Sequence, residues 1–218
     1  MRDARSGPPS GQAAVGHPRH VHPLPVPAAA AAIGIVTAAG LAIRFVAAGR
    51  PVLADQAWHD LMADVRSSGA DRIARSLNAI GGTPAMTAVV TVAGLVLLAR
   101  SERRSAALLV TSLVASSGAS NLLKVVVGRT RPVDAVMEDR RPAFPSGHAT
   151  SAGALGIAIA LMVRRPWVVA LVPVWAGSMV WSRTYLRLHW LSDTVAGVLL
   201  GASIAVVSDR VIHRPSPR

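Results

Sequence analysis

Cysteine is absent from the 218 residues, so neither disulfide nor thiolate chemistry is open to this chain. Aromatic residues are scarce, at 4%. Lysine occurs once, as Lys124, and the remaining basic residues are arginines. The shortage of aromatics weighs against a nucleic-acid surface, which sets stacking rings among its cations. A formal net charge of +12 would otherwise invite that reading. The arginines fall instead in short polar gaps between apolar runs, where loop cations meet anionic lipid headgroups. We therefore expect a membrane partner and no nucleic-acid partner.

What is abundant is aliphatic mass. Apolar residues make up 51% of the chain, and the mean hydropathy is +0.43. That is high for a soluble domain and ordinary for a small polytopic membrane protein. Six apolar runs cover residues 28–48, 83–99, 106–127, 149–163, 166–182 and 191–208. A helix crossing a hydrocarbon core of roughly 30 Å needs about 20 residues, fewer where its ends are lined by protein. The expected fold class is all-α, a polytopic membrane helical bundle with six transmembrane helices over residues 28–208. Residues 1–27, rich in Pro, His, Gly and Arg, are expected to form a disordered tail. Adventitious metal binding by His17, His20 and His22 is the weaker reading of that stretch. It does not have the pattern of a cleaved signal peptide, so the first helix is expected to be retained. Residues 209–218 read as a polar C-terminal tail.

Between the first two runs, residues of about 55–80 place Ala57, Leu61 and Val65, then Ile73, Leu77 and Ile80, at helical spacing among charges. This predicts one or two amphipathic helices lying on the membrane. With a cytoplasmic N-terminus, the arginine-rich gap at 100–105, Arg164-Arg165 and the C-terminal tail are cytoplasmic as well. The gaps 128–148 and 183–190 then share the outer face, because two spans separate them.

Both of those gaps carry chemistry. The first reads "KVVVGRTRP" from Lys124 to Pro132, followed by "FPSGHATSAG". The second is "SRTYLRLHWLSD", from Ser182 to Asp193. Charges next to hydrocarbon cost roughly 2.5–3.5 kcal/mol each on insertion scales, so they normally face a cavity and have a function. Ser146 follows a proline and precedes an apolar run, as a helix N-cap does, and Gly147 permits close backbone approach. The N-terminus of a helix attracts phosphate, and His148 lies in its first turn. His189 and Asp193, four apart, share a helical face, so the carboxylate can hold one ring N–H and leave the other nitrogen a free lone pair. Lys124, Arg131 and Arg183 supply three cations suited to a phosphoryl group in transfer. Each piece alone has an ordinary reading: a helix-start turn, a satisfied interior hydrogen bond, a loop. Their conjunction on one membrane face points to one bound anion.

The three segments are similar to the type 2 phosphatidic acid phosphatase family, which shares its site with vanadium haloperoxidases. Its pattern runs K-x6-R-P, then P-S-G-H, then S-R-x5-H-x3-D. Here every fixed position is filled, in "KVVVGRTRP" (124–132), "PSGH" (145–148) and "SRTYLRLHWLSD" (182–193). The resemblance covers roughly residues 80–208 and makes the lone Lys124 intelligible. It implies a metal- and cofactor-independent hydrolase acting on a lipid phosphate: a polyprenyl diphosphate, phosphatidic acid or phosphatidylglycerol phosphate. His189 would be the nucleophile, oriented by Asp193, and His148 the general acid and base. Lys124, Arg131, Arg183, Ser146 and Gly147 would hold the phosphate. Arg129, Arg140, Arg141 and Arg187 lie outside the fixed positions and read as solvated loop charge, with rim cations as the alternative.

Phosphotransfer to a lipid or sugar alcohol would use the same residues and stays open at this point. Vanadate-dependent halide oxidation fits six spans poorly. A transporter would collect its charges at the midplane, and the chain has no inverted repeat. The expected location is the plasma membrane of a bacterium, with the site on the outer side.

Overall fold

The computed structural model describes residues 25–52 and 54–213. Among the described residues the regular elements are eight α-helices: α1 (Val26–Phe45), α2 (Asp55–Asp64), α3 (Ser68–Ile80), α4 (Thr83–Ala99), α5 (Arg103–Val127), α6 (Gly147–Val163), α7 (Pro166–Tyr185) and α8 (Leu191–Ile212). Each of the six apolar runs is a helix, and the amphipathic segment is the pair α2 and α3.

Both tail boundaries differ from the expected ones, and the other helix ends shift by at most three residues. Helix α1 begins at Val26, inside the expected 1–27 tail, because Pro27 in its first turn presets helical φ and lacks only an N–H that would have been unpaired. Helix α8 continues to Ile212, past the expected end at 208. The rest of both tails, with His17, His20 and His22, lies outside the described residues.

Three helices, α1, α5 and α8, are long and apolar enough to cross a membrane, and α3 with α4 forms a further candidate bent by 51°. Helix α6 is apolar over 17 residues. Helix α7 has 20 residues, with Pro173 inside it.

The bundle centres on α6 and α8, which pack closest because glycines line their contact. A side chain at Gly153 or Gly201 would run into the backbone of Val198 or Thr150, and one at Gly197 would sit 2.6 Å from the Ser146 carbonyl. That closeness carries the α6 N-terminus to the start of α8, where the Ser146 N–H donates to the Asp193 carbonyl at 2.9 Å. One apolar cluster ties α4, α5, α6 and α8 through Val90, Leu109, Leu155 and Ala205. A second ties α1, α5 and α8 through Val36, Leu123 and Leu200.

The third cluster joins α2 and α3 to the end of α7, through Met62, Ala74, Tyr185 and Leu188. The pair therefore covers the bundle end where α5 and α7 finish and α6 and α8 begin. Leu61, Val65, Ile73 and Ile80 of this pair remain exposed. An outward apolar stripe above a hydrophobic bundle fits residence at a membrane interface.

Candidate active site

Helix α5 ends at Gly128, whose φ of 62° is the left-handed conformation that glycine adopts without strain. The chain then turns back over the bundle, pinned where the Trp190 indole donates to the Thr130 carbonyl at 3.1 Å. This brings the 128–148 connection against the 186–190 connection. Lys124, Arg131, Gly147, His148, Arg183 and His189 then line one cavity of about 150 Å³. Six of the eight expected site residues thus share one pocket. The shared face inferred by counting spans is where they meet.

His189 lies just before α8, whose N-cap is Trp190, so it precedes the helix instead of sharing its face with Asp193. The pair still meets, with Nδ1 3.6 Å from Asp193 Oδ2. On its other side, His189 Nε2 is 3.0 Å from Arg131 Nη1. A guanidinium only donates, so Nε2 accepts, and the ring hydrogen sits on Nδ1 facing Asp193. The lone pair of Nε2 therefore points at the cationic wall. His189 is 2% exposed. Burial first, then the charges of Arg183, Arg131 and Lys124, hold its imidazole well below its ordinary value of 6.5. It is uncharged at neutral pH and available as a nucleophile.

Asp193 lies behind the ring, fully buried. Its Oδ2 accepts the Trp190 N–H at 3.0 Å, capping α8. Its Oδ1 receives Arg129 Nη1 at 2.6 Å.

Arg129 corrects the expectation of solvated loop charge, for it is 1% exposed. Its second nitrogen donates to Asp55 Oδ2 at 2.7 Å, and Nη1 also reaches Ser192 Oγ at 2.7 Å. Asp55 in turn accepts the Ser192 N–H at 2.8 Å. One guanidinium bridges two buried carboxylates, and the chain Asp55–Arg129–Asp193 sets the carboxylate that faces His189 Nδ1 at 3.6 Å, just beyond hydrogen-bond reach. Neither Asp55 nor Arg129 is visible as a site residue in the sequence. The one available signal was that a chain with 11 acidic residues has few carboxylates to hold its buried arginines.

The remaining cations are also positioned. Arg131 Nη2 pairs with Asp139 at 2.8 Å, and its Nε donates to the Arg141 carbonyl at 2.8 Å. Burial pushes the Asp139 carboxyl up, but hydrogen bonds from Arg141 and the Arg131 charge hold it below the usual carboxylate value. Arg141 is largely exposed and also lines the cavity. Arg187 pairs with Asp134, and Arg140 is exposed. Arg183, 3% exposed, donates to the Asn78 side chain. His148 Nε2 donates to the Asn78 backbone carbonyl at 3.1 Å. Asn78, on α3, is a second residue hidden in the amphipathic segment, and it orients both groups.

Lys124 departs from the simple picture. Its Nζ meets the carbonyls of Pro142 at 2.7 Å, Ala143 at 3.4 Å and Pro145 at 2.7 Å. Three acceptors engage its three hydrogens, so it ties α5 to the loop before α6 and offers the cavity its charge. Ser146 is the N-cap of α6 as expected, but its side chain makes no capping bond. Its buried Oγ is without a partner among the described residues, and it is not one of the cavity-lining residues.

Residues 105–215 match the PAP2 superfamily. A decaprenylphosphoryl-5-phosphoribose phosphatase of Mycobacterium tuberculosis is 37% identical over 110 residues, which are 45% of this chain and 60% of that protein. A lipid A 4'-phosphatase of Bacteroides thetaiotaomicron is 30% identical over 107 residues, covering 44% and 48% of the two chains. The chain thus spans about half to three-fifths of the length of these relatives. In architecture it is similar to the crystal structure of a transmembrane PAP2-type phosphatidylglycerolphosphate phosphatase from Bacillus subtilis. The TM-score is 0.70 at 20% identity, over 84% of this chain and 93% of that one.

Proposed function

The chain belongs to the PAP2 superfamily, and on that premise we propose that it is an integral membrane lipid phosphatase working through a phosphohistidine. In this reading α1 and α4 to α8 are six transmembrane helices. The site opens on the outer face of a bacterial plasma membrane, and α2 and α3 lie at the interface above it. The observation that carries the chemistry is His189 Nε2, unprotonated and turned into a cavity walled by Arg131, Lys124 and Arg183.

A terminal phosphate entering the cavity draws Arg131 from Nε2 onto its own oxygens. Nε2 then attacks phosphorus as the bond to the lipid oxygen breaks, and His148, whose Nδ1 has taken the acidic proton of the incoming phosphate monoanion, gives that proton to the leaving oxygen. The hydrogen on Nδ1 stays directed at Asp193, whose charge stabilises the phosphorylated ring. Neutral His148 next takes a proton from water as the water oxygen attacks phosphorus. The P–N bond breaks, inorganic phosphate leaves and His189 is restored. Arg183 and Arg131 neutralise the equatorial oxygens throughout. The relatives' names support lipid-linked phosphates as the substrate class, with polyprenyl diphosphates, phosphatidic acid and phosphatidylglycerol phosphate as candidates.

The test uses the purified full chain in detergent with a panel of lipid phosphates. Free phosphate should appear at a rate unchanged by chelator and suppressed by vanadate, which occupies the pocket as a five-coordinate oxyanion. Activity abolished by chelator and restored by a divalent metal would overturn the metal-independent mechanism. Phosphate recovered only on an added lipid or sugar alcohol would establish a phosphotransferase instead.

A further inference from the structure

The cavity has two chemically distinct tiers. Around the His189 ring it is cationic. Beyond, its lining turns to neutral hydroxyls and one amide: Ser117, Ser120 and Asn121 on α5, and Ser151 on α6, while Thr83, the first residue of α4, lies level with His148. Lys124, Asn121, Ser120 and Ser117 recur at spacings of three and four, so they descend one face of α5. Ser117 lies about 10 Å along the axis from Lys124 at roughly 1.5 Å per residue. Ser151 is one turn further into α6 than His148. Both helices therefore place the neutral tier on the hydrocarbon side of the cationic one.

Two observations indicate that this tier awaits a ligand. Ser120 is 2% exposed, and its Oγ has no hydrogen-bond partner among the described residues. A helical serine in an apolar span ordinarily returns its hydroxyl to a carbonyl one turn back, as Ser116 does to Leu113 at 3.1 Å. Leaving a buried hydroxyl unpaired costs about 1–3 kcal/mol. Asn121 is exposed beside the exposed apolar Leu122 and Val125, and a polar side chain at such a position is retained where it faces a cavity.

We propose that the neutral tier binds the first carbons of the leaving group, and that the preferred substrate is a monophosphate on an uncharged, hydroxyl-bearing headgroup, a lipid-linked sugar or polyol phosphate. This rests on the phosphatase reading above. With the terminal phosphate among the cations and the tail in the bilayer, whatever joins them passes this tier. A sugar or polyol meets hydroxyls and an amide that can both donate and accept. A diphosphate places its second, charged phosphate among four neutral side chains, and Lys124 nearby has its hydrogens committed to carbonyls. Phosphatidic acid brings ester oxygens and no hydroxyl.

The experiment compares kcat/KM of the full chain for a lipid-linked sugar phosphate, phosphatidic acid and a prenyl diphosphate. It is repeated for Asn121→Leu and for the double variant Ser117→Ala/Ser120→Ala. The wild-type chain should favour the sugar phosphate, and each variant should reduce its preference for that substrate over phosphatidic acid about tenfold, the value of one good hydrogen bond. A preference ratio unmoved by the variants, or a wild-type preference for the diphosphate, overturns the proposal and leaves the phosphatase reading standing. No phosphate release from any of the three substrates sinks that reading, and this inference with it.

Discussion

Replacing His189 with alanine is expected to lower phosphate release from a lipid phosphate by on the order of 10³-fold or more, with the bundle still assembled. The nucleophilic lone pair belongs to this ring alone. His148, the other imidazole in the cavity, has Nε2 turned to the Asn78 carbonyl. No cysteine exists to substitute. The loss should fall on kcat, since Arg131 and Arg183 remain to bind phosphate. Truncation leaves no orphaned charge, because the ring is neutral and Asp193 keeps its bonds to Arg129 and Trp190. Helix content and elution volume should match those of the wild-type chain. Turnover within tenfold of wild type would show that His189 is not the nucleophile.

Arg129→Ala is expected to damage both stability and turnover. Removing one member of a buried ionic group typically costs about 3–5 kcal/mol, because the partner charges stay buried without compensation. Here two carboxylates, Asp55 and Asp193, are stranded by one substitution. Such a loss is a large part of a total stability of about 5–15 kcal/mol. Arg129→Lys separates the two effects. It keeps the charge but cannot span both carboxylates in the fork geometry of a guanidinium. That variant should fold, hold KM near the wild-type value and lose roughly 10- to 100-fold in kcat, the range seen for partners one contact behind a reacting group. Unchanged kcat in Arg129→Lys would reduce the network to a structural tie.

The six helices of the bundle were legible because apolar runs of 15 to 22 residues have few alternatives to helix. Lys124, Arg131, Gly147, His148, Arg183 and His189 were legible because they fill fixed positions of the family pattern, whereas the cavity's serines, Thr83, Asn121 and Asp139 fall outside it. Asp55, Asn78 and Arg129 were not. Asp55 and Asn78 sit among the charges of an amphipathic segment, where every polar residue looks solvated. Only tertiary packing of α2 and α3 over the bundle end buries one and turns the other toward His148 and Arg183. Arg129 is two residues from Arg131, and both cations look alike in a loop. The left-handed turn at Gly128 and the anchor at Trp190 send one behind Asp193 and the other in front of His189. Ser146 shows the opposite case: its position as N-cap was readable, but its hydroxyl is turned away from the capping role.

The most direct measurement is acid-sensitive trapping of the intermediate: a rapid quench of the full chain with a ³²P-labelled lipid phosphate, followed by peptide mapping. Label on residue 189, stable in base and lost in acid, formed and discharged at rates that account for turnover, is the predicted result. A chain that turns over substrate while no histidine acquires phosphorus would contradict it.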